Sequence, residues 1–335
     1  MAGTEKLRGK QLLEREQKLA TYAGRDRIVS SHDLAEELAK TEESVFKILT
    51  GVKSLDRILG GGVEAGELIV VTGPTGEGKT TLLMSITKNM AEAKVDSVWF
   101  TLEVTPRQFM QKLIKAVGGE QPRVPLFYLP HAGLEDAEEA YVREWETKHR
   151  RRYEMVDWIE DKIIEAKVKV EKDGQLLKIV YIDHIHQIFP MAKMQNVSLE
   201  IGDLVARIKN IAITHNLAVF LIAHTKDDPQ GTAREPRKED IRDSGLITRL
   251  ADTIIGVWRI KNSNDGTKPR REEIEEEDNK AKVRVFKNRR NGTLGFFTMY
   301  HKDHYMTEDY DWGDDFSDDE KGGKKKAEKD LDIPF

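Results

Sequence analysis

The segment GPTGEGKT, from Gly73 to Thr80, has the residue types and the spacing of a site that binds phosphate groups. Its glycines would let the backbone turn so that successive N–H groups face anionic oxygens, and the helix predicted after it would add its positive end. Lys79 would place a cation between the β- and γ-phosphates of a nucleoside triphosphate, and the Thr80 hydroxyl would bind Mg²⁺. The expected binding residues of this P-loop are Gly73, Thr75, Gly76, Gly78, Lys79, Thr80 and Thr81.

Three more side chains that could do chemistry end apolar runs that are predicted strands. Asp183 ends LKIVYID and could hold Mg²⁺ through water, and Glu103 ends DSVWFTLE and could orient or deprotonate an attacking water. His224 ends LAVFLIAH and could sense the γ-phosphate. Ligands of an open parallel sheet bind at the carboxyl ends of its strands, which makes all three candidates for one site. Each also has a simpler interpretation, as a turn residue, a solvated acid or a structural histidine.

Two basic side chains, Lys287 and Arg289, lie on or just after the predicted strand AKVRVFK. Neither is needed to close a nucleotide site within one chain. An arginine presented at the edge of a hairpin could instead reach the nucleotide of a neighbouring subunit, and such a finger contributes roughly 10³–10⁵-fold in rate. On residue chemistry alone, a surface arginine is the simpler interpretation.

The apolar pattern indicates which elements would position these side chains. Five apolar runs alternate with helical stretches, which is typical of a buried parallel sheet. These runs cover residues 67–73, 96–103, 177–183, 217–224 and 253–260. Two further strands, 281–287 and 294–300, would be joined by a turn at Asn291 and Gly292. The expected fold class is α/β, with a mainly parallel central sheet flanked by helices.

Composition narrows the class of protein. The chain of 335 residues has no cysteine, which excludes disulfides, Cys-based zinc sites, iron–sulfur clusters and a thiol nucleophile. No apolar run approaches the length of a membrane span and the first residues are polar, so we expect a cytoplasmic protein without a membrane partner. The net charge of −5 is concentrated in residues 308–335, which carry 11 acids and 5 lysines. Binding of nucleic acid would therefore depend on a local basic patch.

These motifs, in this order, resemble the hexameric RecA-like replicative DNA helicases of the DnaB type, above all the helicase half of phage primase–helicases and their mitochondrial relative Twinkle. The resemblance runs from about Thr50 to Tyr300. Besides the P-loop it rests on DIRDSGLITRLADTIIGVWR (240–259) followed by KNRRNG (287–292), a far more specific pattern. It implies a RecA-like P-loop NTPase that forms a ring and couples NTP hydrolysis to 5′–3′ translocation on single-stranded DNA and duplex unwinding. It also implies ATP, or another NTP or dNTP, with Mg²⁺, a homo-hexamer, and a phage protein of the host cytoplasm.

The resemblance further implies roles for individual residues. Glu103 would be the catalytic base, Asp183 the aspartate linked to Mg²⁺, and His224 the sensor of the γ-phosphate. Lys287 and Arg289 would be the pair that acts on a neighbouring subunit, with the adjacent Arg290 as a rival for Arg289. The loops between Asp183 and Ser198 and between Thr225 and Ser244 would line the channel of the ring, and the implied DNA contacts are Lys226, Arg234 and Arg242.

The chain departs from the family pattern in two places. Proteins of the DnaB type often carry Gln three residues after the aspartate, where this chain has His186, so phosphate sensing through that position is not expected. No zinc ribbon, primase half or globular collar is expected before the motor part, and priming activity is therefore unsupported.

Three parts are expected along the chain: a helical N-terminal extension or linker (1–45), a RecA-like motor domain (46–307) and a disordered acidic tail (308–335). The tail ends in Asp332, Ile333, Pro334 and Phe335, which resemble the C-terminal tip of bacterial single-stranded-DNA-binding proteins. A terminal aromatic with its own carboxylate suits a small apolar pocket with a basic rim. Replisome proteins are the expected partners of this tip: a polymerase, a primase or proteins that bind such tips.

Two alternative functions stay open on the sequence. The segment TGVKSLDRILGGGVEAGE would suit a RecA/RadA-like recombinase or a paralogue of one, although the pattern at 240–259 favours the helicases. A regulatory ATPase or scaffold that does not unwind DNA, and that recruits partners through its tail, is the other alternative.

Overall fold

The computed structural model describes residues 12–18, 30–41, 46–101, 106–116, 126–128, 154–172, 174–184, 197–225, 237–241, 244–259, 279–302 and 304–308. Contacts divide the chain into two compact units, Met1–Phe46 and Lys47–Phe335. The first unit contains helix α1, residues 12–18, and helix α2, Ser31–Thr41, which confirm a helical N-terminal extension. Ser30 caps α2, because its hydroxyl accepts a hydrogen bond from the Asp33 amide at 3.0 Å.

The second unit contains a two-stranded ribbon and a large sheet. The ribbon pairs β1, Lys47–Ile48, with β2, Val63–Glu64. In the part of the chain that the structure describes, the sheet has nine strands. Six are parallel: β3 Leu68–Gly73, β4 Asp96–Thr101, β5 Leu126–Tyr128, β6 Leu177–Asp183, β7 Ala218–His224 and β8 Thr253–Arg259. Three antiparallel strands extend it: β9 Lys280–Asn288, β10 Gly295–Lys302 and β11 Tyr305–Thr307. The spatial order is β11-β10-β9-β8-β3-β7-β6-β4-β5.

Helices cover both faces of the sheet. They are α3 Lys53–Ile58, α4 Lys79–Glu92, α5 Pro106–Ala116, α6 Glu154–Lys172, α7 Val197–Thr214 and α8 Ser244–Leu250, with a 3₁₀ turn at Lys238–Asp240. Among the described helices, none has the length and apolar character that crossing a membrane requires.

The predicted α/β fold with a mainly parallel sheet is confirmed. Strands β3 and β4 are buried at every residue, and so are β7 and β8 except at their last residue, as expected for strands covered on both faces. On one face, apolar side chains of the sheet pack against α6 and α7 in a single core cluster. On the other face, the Trp99 indole donates a hydrogen bond to the Thr87 hydroxyl of α4 at 3.1 Å. Helix α4, which follows the P-loop, is thereby fixed over the sheet.

The two strands predicted around Asn291 and Gly292 form the expected hairpin, β9 and β10. The structure adds β11, which the sequence pattern did not indicate. This strand reaches α4, because the Met306 amide donates a hydrogen bond to the Ser85 hydroxyl at 2.7 Å. The antiparallel extension therefore curls back toward the helix that follows the P-loop. The acidic tail beyond Glu308 lies outside the described residues.

Candidate nucleotide-binding site

The P-loop connects the buried strand β3 to helix α4. At Gly73 an added Cβ would lie 2.0 Å from the Val257 carbonyl oxygen, so no side chain fits there. Gly78 has a φ of +102° and forms the N-terminal cap of α4, a conformation that favours glycine. Lys79 is 5% exposed, and its Nζ donates hydrogen bonds to the carbonyl oxygens of Gly73 at 3.0 Å and Pro74 at 2.8 Å. The loop thus has the geometry of a phosphate cradle with its lysine folded over it.

Thr80 and Asp183 meet at the carboxyl edge of the sheet. The Thr80 hydroxyl donates a hydrogen bond to Asp183 Oδ2 at 2.9 Å, and Asp183 is 1% exposed at the end of β6. Hydroxyl and carboxylate oxygens are hard ligands of the kind that Mg²⁺ prefers beside phosphate groups. The two residues predicted to be linked to Mg²⁺ therefore lie side by side, next to the P-loop, with donors that fit this ion.

His224 lies at the same edge. It ends β7 and is paired in register with Gly73, and its Nδ1 is 3.4 Å from the Thr75 hydroxyl of the P-loop. The ring of His184, which directly follows Asp183, contacts the His224 ring edge to face with centroids 4.2 Å apart. Sequence reasoning did not connect these two histidines, since only the parallel neighbourhood of β6 and β7 brings them together.

Other predicted residues of this edge lie outside the described residues. Strand β4 ends at Thr101, paired with Asp183, two positions before Glu103. The proposed DNA contacts Lys226, Arg234 and Arg242 lie outside as well, as do Asp332, Ile333, Pro334 and Phe335 of the tail tip. A β-bridge between Thr225 and Ile241 joins the two ends of the chain segment that would carry the first two DNA contacts. Thr225, at which that segment begins, directly follows His224 in the sequence.

Lys287 and Arg289 lie at the opposite edge of the sheet. Strand β9 is antiparallel to β8, and its last residue, Asn288, pairs with Thr253 at the amino end of β8. Thr253 is in turn level with Ile69, near the start of β3, whereas the P-loop begins at the other end of β3. At about 3.3 Å per residue, the length of β3 separates Arg289 from the P-loop by roughly 15 Å along the strand direction. Within one chain, Arg289 and the P-loop cannot meet.

Both basic side chains bind the end of α8. Lys287 Nζ donates hydrogen bonds to the carbonyl oxygens of Thr248 at 2.8 Å and Ala251 at 2.5 Å, and burial lowers the pKa of this ammonium group. Arg289 donates to the Arg249 carbonyl oxygen at 2.9 Å, and its Nη1 is 3.3 Å from Asp252 Oδ1. The Arg289 side chain nevertheless remains 54% exposed. The Arg289 side chain is therefore bound to the end of α8 and to Asp252 while part of it stays accessible to solvent.

Arg290, the rival for Arg289, has a different environment. Its Nη1 lies 2.8 Å from Glu64 and 3.4 Å from Glu67, and its Nη2 donates to the carbonyl oxygens of Leu59 and Gly62. Its side chain is 20% exposed. Burial raises the pKa of the Glu67 carboxyl group, and the nearby Arg290 charge opposes that rise. Arg290 thus joins the β9–β10 hairpin to the β1–β2 ribbon, a structural function.

The sequence analysis assigned no role to two further residues, one beside the P-loop and one beside Arg289. His301 of β10 faces the P-loop, since its Cε1 would lie 3.0 Å from a Cβ added at Gly78. Burial lowers the pKa of His301 to about 4, so this imidazole is neutral at physiological pH. Asp252 is 8% exposed and contacts Arg289. Asp252 belongs to the quoted pattern at 240–259, but the pattern does not reveal what its carboxylate binds.

Comparisons with known proteins agree with this arrangement. The model of the DnaB-like helicase C-terminal domain family matches residues 47–309. The DNA helicase/primase of Enterobacteria phage T3 is 24% identical over 243 residues, which cover 69% of this chain and 42% of that protein. The replicative DNA helicase DnaB of Treponema pallidum is 25% identical over 232 residues, covering 68% of this chain and 51% of that protein. The DNA repair protein RadA of Salmonella typhimurium is 24% identical over 255 residues, covering 75% and 47%.

A solved structure shows the same fold. A DnaB-like replicative helicase, whose structure was described together with its interactions with primase, superposes with a TM-score of 0.61 at 17% identity, covering 89% of this chain and 70% of that one. The chain spans about half the length of the curated relatives it matches. The family match covers most of the second compact unit and confirms the resemblance carried by the P-loop and the 240–259 pattern. The chain therefore belongs to the DnaB-like helicase C-terminal domain family.

Proposed function

We propose that the chain is a ring-forming replicative DNA helicase that couples NTP hydrolysis to 5′–3′ translocation on single-stranded DNA and unwinds duplex DNA. One observation supports the proposed assembly of several subunits: the P-loop and Arg289 lie on opposite edges of one sheet. A molecule that presents one part of a site at each edge is completed by head-to-tail contact with further copies. Such contacts close into a ring where the rotation between copies closes, and otherwise form an open filament. A homo-hexamer is the expected assembly.

Within each site, the chain's residues bind and orient the nucleotide. Backbone amides of the P-loop and Lys79 would bind the phosphates, with ATP or another NTP or dNTP as substrate. Thr80 and Asp183 would hold Mg²⁺, which when bound neutralises charge that develops on the phosphate oxygens. Glu103 would deprotonate or orient the attacking water, and His224 would respond to the γ-phosphate.

The neighbouring subunit would complete the site with Lys287 and Arg289. Its Arg289 would stabilise the charge of the transition state, an effect of roughly 10³–10⁵-fold in rate. The contacts of Arg290 with Glu64 and Glu67 favour Arg289 over Arg290 for this proposed role. Hydrolysis would then change the contact between two subunits, which is what a motor that steps around a ring requires.

The proposed DNA contacts follow His224 directly along the chain. Lys226, Arg234 and Arg242 would bind phosphates of a single strand in the channel, and a change at His224 would reach the loop through Thr225. Each phosphate contact would add about −0.7 to the slope of log affinity against log salt. The N-terminal extension would dock on the adjacent subunit, and the tail residues Asp332 to Phe335 would bind a polymerase, a primase or tip-binding proteins. We propose the cytoplasm as the compartment.

A RecA/RadA-like recombinase or a paralogue of one is the second candidate, favoured by the similarity to the DNA repair protein RadA. It predicts open filaments rather than closed rings in electron micrographs. A regulatory ATPase or scaffold would hydrolyse ATP without stimulation by DNA.

The test is strand separation on a forked duplex that has both single-stranded arms. Wild type is compared with Lys79→Ala, Arg289→Ala and the matched control Arg57→Ala, whose arginine is exposed on α3. We expect unwinding by wild type and control, none by the other two variants, and poisoning of wild type by excess Arg289→Ala. If wild type hydrolyses ATP but separates no strands, even with a 5′ arm and Mg²⁺, the helicase proposal fails.

A further inference from the structure

One buried carboxylate links Arg289 to the strand that ends in the P-loop. Asp252 Oδ2 accepts hydrogen bonds from the Leu68 amide at 2.8 Å and from Lys209 Nζ at 2.5 Å. Asp252 Oδ1 is 3.3 Å from Arg289 Nη1. The main chain repeats the link, because the Asp252 amide donates to the Leu68 carbonyl oxygen at 2.9 Å and the Arg289 amide donates to the Asp252 carbonyl oxygen at 2.8 Å. Asp252 is thus fixed to β3 on one side and to Arg289 on the other.

This arrangement suits the requirement of a residue that acts across a subunit contact. A long arginine side chain has many rotamers, and the loss of rotamer entropy opposes holding it in one of them. The carboxylate of Asp252 is itself held by β3 and Lys209, so it can restrict the guanidinium group of Arg289 before a neighbour is present. The remaining 54% exposure of the Arg289 side chain leaves it accessible to the neighbour's nucleotide.

We infer that Asp252 is a positioning residue for Arg289: it sets the orientation in which this arginine enters the active site of the adjacent subunit. The inference rests on the proposed function, in which Arg289 acts in trans. Asp252 touches neither nucleotide nor DNA in this role. Asp252→Asn keeps an oxygen for Leu68 and Lys209 but removes the charge that orients Arg289. It should lower kcat about 10–100-fold with little change in KM, as loss of an outer partner or a 1 Å misplacement does.

The experiment determines which of the two subunits at a contact needs Asp252, the one that supplies the P-loop or the one that supplies Arg289. Lys79→Ala cannot use its own site but supplies Arg289, and Arg289→Ala has an intact P-loop but no finger. In an equimolar mixture, roughly a quarter of the head-to-tail contacts combine an intact P-loop with an intact finger, so NTPase activity should return. If the mixture regains no activity, the proposed action of Arg289 in trans fails, and the inference about Asp252 fails with it.

Asp252→Asn is then added to one member of the mixture at a time. Added to the Lys79→Ala chain, which supplies the finger, it should cut the regained activity about 10–100-fold. Added to the Arg289→Ala chain, which supplies only the P-loop, it should leave the regained activity within about twofold of the parent mixture. A structural role for Asp252 would lower both mixtures alike, and that result would overturn the inference.

Two controls keep the result interpretable. Lys209→Gln removes the other cation of Asp252 but keeps the Leu68 hydrogen bond and the charge beside Arg289. It should lower the unfolding temperature, with a far smaller difference between the two mixtures than Asp252→Asn produces. If Asp252→Asn does not yield folded chains, Asp252→Glu keeps the charge for Lys209 but displaces the carboxylate by one methylene. It should lower the regained activity, to a smaller extent, only when it is added to the chain that supplies Arg289. An equal loss in both mixtures would again overturn the inference.

Discussion

Arg289 and Arg290 are neighbours in sequence, yet their environments predict opposite results for replacement by alanine. Arg290 is one partner of a mostly buried ion pair with Glu64 and Glu67, and its removal leaves those carboxylates without that cation. Breaking a buried pair costs about 3–5 kcal/mol, and the 20% exposure of Arg290 places the loss near the lower value. We therefore expect Arg290→Ala to lower Tm by roughly 6–12 °C in a domain of this size.

Arg289→Ala should change stability little. The Arg289 side chain is 54% exposed, and an exposed ion pair contributes about 0–1 kcal/mol. Its loss should appear in the rate instead, because a finger contributes roughly 10³–10⁵-fold to hydrolysis. Arg290→Ala should thus lower the unfolding temperature, whereas Arg289→Ala should lower the rate of NTP hydrolysis.

The pH dependence gives a second test of the Arg290 environment. Burial raises the pKa of Glu67 above its ordinary value, and Arg290 opposes this rise, so Arg290→Ala should raise the Glu67 pKa further. A carboxyl group with a raised pKa binds its proton more tightly in the folded state, so its contribution to stability is lost as pH rises through the folded pKa. The difference in Tm between wild type and Arg290→Ala should therefore be largest near pH 8 and shrink toward pH 5.

The assay combines calorimetric unfolding at pH 8 and pH 5 with steady-state NTPase rates of both variants. Arg57→Ala, on the exposed side of α3, is the matched control for removal of an arginine. The reasoning would be refuted if Arg290→Ala unfolded at the wild-type temperature and lost hydrolysis, while Arg289→Ala hydrolysed NTP at the wild-type rate. In that case Arg290, and not Arg289, would be the trans-acting residue.

Four further predictions concern the two edges of the sheet. Asp183→Asn should raise the Mg²⁺ concentration for half-maximal hydrolysis about 10–100-fold, measured by Mg²⁺ titration of the rate. Gly78→Ala, at a φ of +102° and with its Cβ 2.3 Å from Met306 Cε, should weaken nucleotide binding about tenfold or more, measured with a fluorescent nucleotide. Folding depresses the His301 pKa to about 4, so stability is lost as pH falls below about 6.5, and His301→Gln should reduce that loss in Tm measurements from pH 8 to 4. Lys287→Met removes the cation at the end of α8 and should cost about 1 kcal/mol, with faster hydrogen exchange of α8 amides as the readout.

Much of the fold could be predicted because its signals are local. The buried strands are continuous apolar runs, and the P-loop needs only glycines and a lysine at fixed spacing after one of them. Asp183 and His224 then followed from the rule that parallel strands present their carboxyl ends together, and the structure brings both to the P-loop.

The contacts made through register were not predictable in the same way. Whether Arg289 or Arg290 is accessible depends on which side of the hairpin faces the ribbon that contains Glu64, a pairing between segments more than 200 residues apart. The contact between His184 and His224 depends on β6 and β7 being neighbours, and the three partners of Asp252 come from β3, α7 and the turn after β9. No local sequence pattern encodes these contacts.

The direction of β9 has the largest functional consequence and the weakest sequence signal. Strand β8 ends at Arg259 and β9 begins at Lys280, and a connection of this length allows either a parallel or an antiparallel addition to the sheet. A parallel β9 would bring Lys287 and Arg289 to the same edge as the P-loop, where an arginine could act within its own chain. The antiparallel β9 places them at the amino edge. The proposed need for a second subunit therefore rests on the topology, and the pattern KNRRNG alone could not indicate it.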